Sequence, residues 1–342
     1  MNVTAVGLDI AKNVFQVHGA SASGKQVVRK KLKRDQVLAY FATLPACVIG
    51  MEACAGAHHW ARRLQELGHT VRLIAPQFVK PYVKTNKNDA ADAEAIWEAV
   101  TRPNMRFVPI KTVEQQAVLS LHRARSGFIK ARTAQANQIR GLLAEFGFVI
   151  PKGIRHVFTE VTPLIEDAER DLPGTLRVLI ARLMEQLRQV DQQAKELEAQ
   201  IHAWHRQNPA SRKLEQVPGI GPLTASALVA TAGDASNFHD GRQLASWIGV
   251  VPRQHSSGGK QQLLRISKRG DVYLRTLMIH GARSVVKVVK RQAAPQGQAI
   301  WLSELIKRRG PNVAAVALAN KNARVAWALL AHNCEYDRHY SQ

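Results

Sequence analysis

The hydrophobic and polar positions of the first 75 residues fall into short runs that predict strands and helices. Two β-branched, half-alternating runs and a third after a turn-like SASGK predict a meander of antiparallel strands, and these runs are TAVGLDIA, NVFQVHGA and QVVRKKL. DQVLAYFATL reads as a helix, and ACVIGMEA is a continuous apolar run typical of a buried strand. AHHWARRLQELG predicts a helix that ends at Gly68, followed by the strand TVRLIAP.

A mixed sheet in this order, with helices on its faces, is the ribonuclease-H-like arrangement. We therefore predict an α/β domain over residues 1–112. The segment from Asp89 to Val100 is helical in pattern, so Asp89 and Asp92, three residues apart, lie on one helix face.

Residues 113–210 have the pattern of long helices. After a helical stretch over residues 113–146, nine apolar positions alternate steps of four and three, and they are Leu176, Ile180, Leu183, Leu187, Val190, Ala194, Leu197, Ile201 and Trp204. Four heptads of this kind predict a coiled coil, which between two chains would make a dimer. An intramolecular helical hairpin would use the same stripe, and the sequence favours neither interpretation.

The third predicted domain, residues 211–342, is mainly helical. VPGIGPLTASALV fits a helix-hairpin-helix turn, in which Gly219 and Gly221 would let the backbone approach a phosphate. A plain Gly/Pro turn between two helices is the alternative. A Ser/Gly-rich loop at residues 256–259 has basic residues on both sides.

The charge of the chain points to a polyanionic partner. The formal net charge is +22, with 21 Lys and Arg against 10 Asp and Glu in residues 1–150 and 19 against 7 in residues 211–342. A solvated basic surface without a partner is the alternative, but nucleic acid accounts best for this magnitude. No apolar run is long enough to span a membrane. The three cysteines lack zinc-ligand spacing, and their odd number argues against a disulfide framework, so we expect a reducing, cytoplasmic location.

Four carboxylates stand where metal-dependent phosphoryl transfer would need them. Asp9 in GLDIAK and Glu52 in IGMEACAG interrupt apolar runs, where a buried charge is costly without a partner. Asp89 and Asp92 would project from the helix packed beside them. Taken singly, each acid is more often a cap or a surface charge. Together they predict oxygen ligands for two Mg²⁺ ions.

Five segments in this order resemble the transposases of the insertion-sequence 110 family, which are related to Piv-type DNA invertases. They run from Gly7 to about Ala282, and they are GLDIAKNVFQVHG, IGMEACAGAHHWARRL, KTNKNDAADAEAI, VPGIGPLTASALVA and LASWIGVVPRQHSSGGKQQLLRISKRGDVYLRTLMIHGA. The resemblance implies a RuvC-like domain joined to a second domain with a nucleophilic serine.

By this resemblance, the catalytic and metal-binding tetrad falls on Asp9, Glu52, Asp89 and Asp92, with Mg²⁺ or Mn²⁺ as the ion. The serine is assigned to Ser257, although its neighbour Ser256 could be mistaken for it. Ser257 lies in a different domain from the tetrad, so a shared site would require the domains to meet, for example across a dimer. The resemblance also implies a bacterial, nucleoid-associated protein, active as a dimer or a dimer of dimers. Its partners would be donor DNA, target DNA and a structured bridge RNA that pairs with both.

Basic side chains around the serine are further candidates for contacts with nucleic acid. Lys260 or Arg253 would clamp a phosphate near Ser257. The remaining candidates follow in the sequence, and they are Arg265, Lys268, Arg269 and Arg275. For each of these four, a merely solvated helix surface is equally consistent with the sequence.

The charge and the carboxylates predict a metal-dependent enzyme that acts on nucleic acid, and the resemblance implies an RNA-guided DNA transposase that cleaves and rejoins DNA through a covalent serine–DNA intermediate. Two other functions fit parts of the pattern. One is a junction-resolving nuclease of the same fold that uses water as its nucleophile. The other is a non-catalytic, basic nucleic-acid-binding protein whose acids are structural.

Overall fold

The computed structural model describes residues 3–84 and 88–337. The chain forms two compact units, Met1–Thr112 and Val113–Gln342. The helices of residues 113–210, which the sequence analysis separates from residues 211–342, thus belong to the same unit as those residues. No helix within the described ranges is long and apolar enough to cross a membrane.

The first unit is built on a six-stranded mixed sheet with the order β3-β2-β1-β4-β5-β6. Its strands are β1 Ala5–Ile10, β2 Val14–Ala20, β3 Gln26–Lys33, β4 Val48–Glu52, β5 Thr70–Ile74 and β6 Phe107–Val108. The first three strands are antiparallel neighbours, which confirms the predicted meander. The central strands β1, β4 and β5 run parallel, and β6 pairs antiparallel with β5.

Helices cover both faces of this sheet. They are α1 Val37–Ala42, α2 Ala57–Glu66, α3 Pro76–Val79 and α4 Asp89–Val100. On one face, the ring of Phe15 meets Trp60 of α2 edge to face, with 4.9 Å between the ring centroids. On the other face, His18 stacks beside Trp97 of α4. The mixed α/β fold expected for residues 1–112 is therefore present.

The second unit is mainly helical. Its helices are α5 Val113–Ala144, α6 Ile154–Glu166, α7 Gly174–Gln207, α8 Pro209–Glu215, α9 Pro222–Ala232, α10 Gly241–Ile248, α11 Val272–Val289, α12 Gln298–Arg309 and α13 Pro311–Ala331. A two-stranded hairpin of β7 Pro252–Gln254 and β8 Leu263–Ile266 stands between α10 and α11.

The long helices α5 and α7 pair antiparallel within the chain. Arg125 of α5 binds Glu198 at 2.7 Å, and Arg132, two turns later, binds Asp191 at 2.6 Å. Asp191 is buried, so its pairing with Arg132 offsets the cost of removing its charge from water. Residue numbers increase along α5 while those of their partners decrease along α7, so the two helices form an antiparallel hairpin.

The apolar stripe of α7 is packed inside the second unit. Ile180, Leu187 and Ile201 are completely buried, and Leu176 and Ala194 are nearly so. Of the two interpretations of the heptads, the structure favours the intramolecular hairpin. A coiled coil between two chains along this stripe would require the hairpin to open. A dimer therefore stays a prediction, and its interface would have to use a different surface.

A buried polar cluster joins α5, α9 and α11. His122 is 1% exposed, and its Nδ1 and Nε2 lie 3.0 Å from the Tyr273 hydroxyl and 3.1 Å from Ser226 Oγ. Ser226 donates to the Pro222 carbonyl, so it accepts from Nε2–H, and the Tyr273 hydroxyl donates to Nδ1. His122 is therefore neutral, and burial lowers its pKa to about 4.

Candidate active site

The first two carboxylates lie at the carboxyl ends of the parallel strands β1 and β4. Leu8 pairs with Met51 across these strands, so the next residues, Asp9 and Glu52, occupy adjacent positions at the same edge of the sheet. Side chains alternate along a strand, so Leu8 enters the core under α2 while Asp9 faces α4. The sheet alone thus brings two acids together on one face.

The other two carboxylates come from the first turn of α4. Asn88 caps this helix by accepting a hydrogen bond from the Ala90 N–H at 3.0 Å. Asp89 is the first helical residue, and Asp92 follows one turn later. The positive end of the helix dipole stabilises negative charge at this position. The local sequence therefore both starts the helix and directs its acids to one place.

Two glycines let α4 lie directly on the sheet. A Cβ at Gly7 would be 2.0 Å from the Ala93 carbonyl oxygen and 2.5 Å from the Trp97 nitrogen. A Cβ at Gly50 would be 2.7 Å from Val100 Cβ. Each glycine stands two residues before a carboxylate, in Gly-Leu-Asp and Gly-Met-Glu. The sequence analysis missed these positioning residues, and the repeated Gly-x-acid spacing is the signal that could have revealed them.

Close packing of α4 brings three aspartates into one cluster. One carboxylate oxygen from each of Asp9, Asp89 and Asp92 lies within 4.8 Å of the others. Burial raises the pKa of Asp9 to about 6, and the negative charges of Asp92 and then Asp89 add to the effect. Glu52 acts in the same direction with a smaller influence, so it lies within electrostatic range although it is not one of the three clustered groups.

The donor set of this cluster fits a hard divalent cation. Carboxylate oxygens are the ligands that Mg²⁺ and Mn²⁺ prefer, and converging like charges are costly until a cation neutralises them. Cys54 lies at the same edge, and burial followed by the charges of Glu52 and Asp9 raises the pKa of its thiol. Ionisation of the thiol is thus disfavoured, and the carboxylate oxygens are the ligands that suit these ions.

The predicted Ser/Gly-rich loop is the tip of the β7–β8 hairpin. Ser257 and Lys260 pair across the strands, and the Lys260 N–H donates to the Ser257 carbonyl at 3.1 Å. Gly258 and Gly259 between them have φ values of +56° and +76°. Two successive residues with positive φ are typical of a type I′ turn, which suits the twist of a two-residue hairpin. The serine thus stands beside an exposed two-residue turn in the connection between β7 and β8.

The two neighbouring serines differ in their surroundings. Ser256 Oγ accepts a hydrogen bond from Gln254 Nε2 at 2.9 Å. Ser257 belongs to the pair that closes the turn, and alternation along the strand places it on the opposite face of the hairpin from Ser256. Lys260, its cross-strand neighbour, shares its face.

The basic candidates around the hairpin divide into exposed and buried side chains. The exposed ones are Arg253, Lys260, Arg265, Lys268 and Arg269. Arg275 is only 8% exposed, and its Nη1 donates to the carbonyls of Ile248 and Arg269 at 3.2 and 3.1 Å. The expectation that Arg275 contacts nucleic acid is corrected, because its buried guanidinium binds backbone carbonyls of the segment that connects α10 to α11.

The two glycines of the predicted helix-hairpin-helix turn differ in the space around them. The turn does join two helices, α8 and α9, but Gly219 faces the protein, since a Cβ there would be 3.1 Å from the Gly281 carbonyl oxygen and 3.2 Å from Asn322 Nδ2. The close approach predicted for Gly219 is therefore made to the chain itself and not to a phosphate. Gly221 precedes α9 and has open space around it.

Comparisons with known proteins identify the family to which the chain belongs. Residues 6–148 match a family described as "Transposase", whose designation carries the letters DEDD, and residues 211–297 match the "Transposase IS116/IS110/IS902 family". A "Probable family 20 transposase" of Pseudomonas aeruginosa is 52% identical over 98% of this chain and 99% of its own length. The chain belongs to the IS110 family of transposases. The transposases of insertion elements IS1111A from Coxiella burnetii and IS1328 from Yersinia enterocolitica are 44% and 40% identical, each over 98% of this transposase and over 92% and 99% of their own lengths.

The two family matches cover the aspartates and the serine separately. The DEDD match contains the aspartate cluster of this transposase, and the second match contains the serine hairpin. DNA is therefore the substrate of this enzyme. Sequence reasoning named the acids and the serine, but it did not identify the glycines that position α4 or the buried His122 cluster.

Proposed function

We propose that this transposase cleaves and rejoins DNA by phosphoryl transfer, using a divalent cation held by four carboxylates and Ser257 as the nucleophile. The observation that carries the proposal is the approach of Asp9, Asp89 and Asp92 to within 4.8 Å, together with the raised pKa of Asp9. Burial and the neighbouring acids raise the pKa of Asp9, so this carboxylate is not an ordinary solvated surface group.

The carboxylates would hold Mg²⁺ or Mn²⁺. Asp9, Asp89 and Asp92 supply the clustered oxygens, and Glu52 at the end of β4 would complete the set. When bound at this position, a cation would supply positive charge that offsets the charge of the phosphate. The protein contributes the sheet and helix α4, whose close packing at Gly7 and Gly50 brings the ligands together.

Ser257 is the nucleophile in this proposal. Its Oγ forms a bond to phosphorus while the bond from phosphorus to the 3′ oxygen breaks. The proton leaves Oγ, and the 3′ oxygen becomes a hydroxyl. The resulting phosphoserine ester conserves the phosphodiester, so a second 3′-hydroxyl can reseal the strand by the reverse step. An exposed turn next to Lys260 and Arg253 supports this assignment, because DNA can reach the serine and the cations can bind its phosphate.

A structured RNA is the guide in this proposal, pairing with donor and target DNA. Two observations support this guide: the resemblance to RNA-guided members of the family, and the large positive charge of residues 1–150 and 211–342. Base pairing would then supply the sequence specificity, and the protein would read the shape and backbone of the RNA. Recoding the target-pairing segment of that RNA should redirect insertion. Insertion at the original site with the recoded RNA, or without RNA, would contradict this part of the proposal.

Trapping a covalent intermediate tests the proposed chemistry. Full-length protein is incubated with Mg²⁺ or Mn²⁺, guide RNA and labelled DNA that carries the element end, and is then separated under denaturing conditions. Wild type and Ser256→Ala should form a protein–DNA adduct, whereas Ser257→Ala and Asp9→Asn should form none.

Other outcomes discriminate between the rival functions. Cleaved DNA without an adduct in wild type would identify a nuclease that uses water. An adduct lost only in Ser256→Ala would move the nucleophile by one residue. Binding without cleavage by either ion, in an element known to transpose, would indicate a non-catalytic protein.

A further inference from the structure

The edge strand β3 carries a concentration of positive charge. Six of the ten residues from 25 to 34 are Lys or Arg, and none is Asp or Glu. Charged residues on an edge strand commonly prevent sheets from joining edge to edge, so the charge alone is no evidence of a ligand. What can indicate a ligand is the face of the sheet on which each cation lies, because the carboxylates are on the α4 face.

The strand register places Lys31 in line with the catalytic carboxylate. Asp9 pairs with Gln16 on β2, and Gln16 pairs with Lys31 on β3. Directly paired residues point to the same face of a sheet, so Asp9, Gln16 and Lys31 form one row on the α4 face. Neighbouring strands lie about 4.8 Å apart, so the backbone of Lys31 is about 10 Å from that of Asp9.

Two further cations flank Lys31 on the same face. Arg29 and Lys33 stand two residues away on either side, and all three are exposed. Arg29 pairs with His18, which stacks beside Trp97 of α4. Burial lowers the pKa of His18, the charge of Glu94 on α4 opposes this shift, and the charges of Arg29 and Lys84 lower the pKa further, as expected when the Arg29 guanidinium is on this face.

Within residues 3–84 and 88–337, none of these three cations forms a salt bridge. In the described part of the first unit, the salt bridges join Arg63 to Glu66 and connect the cations Lys84 and Arg102 to acids of α4. Lys30 on the opposite face differs in that its Nζ lies over the Tyr40 ring, 4.8 Å from the centroid. The three cations on the α4 face therefore present unneutralised charge beside a cluster of acids.

We propose that Arg29, Lys31 and Lys33 form a track that binds the phosphate backbone of the DNA strand adjoining the phosphodiester held at Asp9. This inference rests on the proposed function, because it assumes that DNA reaches the carboxylates. Continuity of the Asp9–Gln16–Lys31 row favours the strand being cut over the guide RNA. Phosphates are attracted by lysine and arginine and repelled by the acids, so the track would also keep uncut backbone away from the cluster.

Binding in the presence of Ca²⁺ tests the track without requiring cleavage. Full-length Lys31→Gln and its matched control Lys30→Gln are titrated with a fluorescent single-stranded DNA of mixed sequence at several salt concentrations. Lys31→Gln should weaken binding by up to about fivefold. It should also reduce the log–log salt slope by about 0.7, the value for one lost phosphate contact on a single strand. The slope of Lys30→Gln should match wild type. Equal slopes for the two variants would overturn the proposal.

A photo-crosslinker at each position gives a readout that does not depend on affinity. Benzoylphenylalanine at position 31 should capture the DNA, whereas at position 30 it should not. Equal capture at both positions, or capture of RNA in preference to DNA at position 31, would overturn the assignment. Because no cleavage is needed, the outcome is distinct from the adduct experiment. An adduct in wild type without capture at position 31 would contradict only the proposed phosphate track. Capture at position 31 without any adduct would contradict only the proposed serine chemistry.

Discussion

Gly7 of β1 lies against Ala93 of α4 so closely that a Cβ at position 7 would be 2.0 Å from the Ala93 carbonyl oxygen. This contact sets the height of α4 above the sheet. Asp9 follows Gly7 by two residues, and Asp92 precedes Ala93 by one. The separation of the acids is therefore determined by a glycine that carries no chemistry of its own.

Gly7→Ala should disrupt the aspartate cluster. The methyl group cannot be accommodated without moving α4, and overpacking of this kind costs about 1–3 kcal/mol of unfolding free energy. The variant should also bind Mn²⁺ more weakly than wild type. Gly127→Ala in the exposed middle of α5, where a Cβ meets nothing within 4 Å, should instead stabilise by about 0.5–1 kcal/mol. Urea unfolding and Mn²⁺ titration of both variants check this. Full Mn²⁺ affinity in Gly7→Ala would contradict the positioning role.

The turn at Gly258 should accept asparagine but not valine. Its φ of +56° is reached by Asn at little cost and by β-branched residues only with strain. Gly258→Asn should therefore keep the hairpin and form the covalent DNA adduct, whereas Gly258→Val should lose most of the adduct. The readout is adduct yield relative to wild type. Equal yields from the two variants would show that the turn geometry is irrelevant to the serine.

Leu187→Ala should weaken the second unit without changing its assembly. Leu187 is completely buried in the α5–α7 hairpin, and removal of a buried leucine side chain costs about 2–5 kcal/mol. The unfolding midpoint should fall equally at low and high protein concentration, because the stripe is packed within one chain. Val178→Ala on the exposed side of α7, at a residue 73% exposed, serves as the control and should change the free energy by about 0.5 kcal/mol or less. A midpoint shift that grows on dilution would support a coil between chains.

The stability of the second unit should depend on pH through His122. Its pKa is lowered from 6.5 to about 4 in the folded protein, so the unfolded chain binds more protons between these values. The contribution of neutral His122 is complete above pH 6.5 and is lost as the pH falls through 4. The loss is on the order of 3 kcal/mol.

Replacement of His122 separates this effect from other titrations. The difference in unfolding free energy between wild type and His122→Gln should change across pH 4 to 6.5, as measured by denaturant unfolding. A constant difference for His122→Gln across this range would contradict the buried neutral assignment.

The sheet and the identity of the acids could be predicted from local patterns. Alternation in β1 and β2, and the apolar run of β4, are decided by side chains within each strand, so the sequence contains the information. The positive charge likewise follows directly from composition. The proximity of Asp89 to Asp9 was expected from the assumed fold, but the closeness of their helix to the sheet depends on contacts of Gly7 and Gly50 with residues far along the chain.

Other features could not be predicted because they depend on tertiary neighbours. Arg275 belongs to a basic run in the sequence, yet the carbonyls of Ile248 and Arg269 capture its guanidinium in the folded unit. Gly219 has the spacing of a phosphate-binding turn, but Gly281 occupies the space that a ligand would need. A heptad stripe has the same pattern whether its partner is another chain or α5.

Direct measurement of Mn²⁺ binding tests the central claim, that the aspartates form a metal centre. Full-length wild type, Asp9→Asn, Asp92→Asn and the exposed control Asp35→Asn are titrated with Mn²⁺ and followed by electron paramagnetic resonance. Wild type and Asp35→Asn should bind the ion, and both Asp9→Asn and Asp92→Asn should lose that binding. Binding by Asp9→Asn and Asp92→Asn with wild-type affinity would contradict the account.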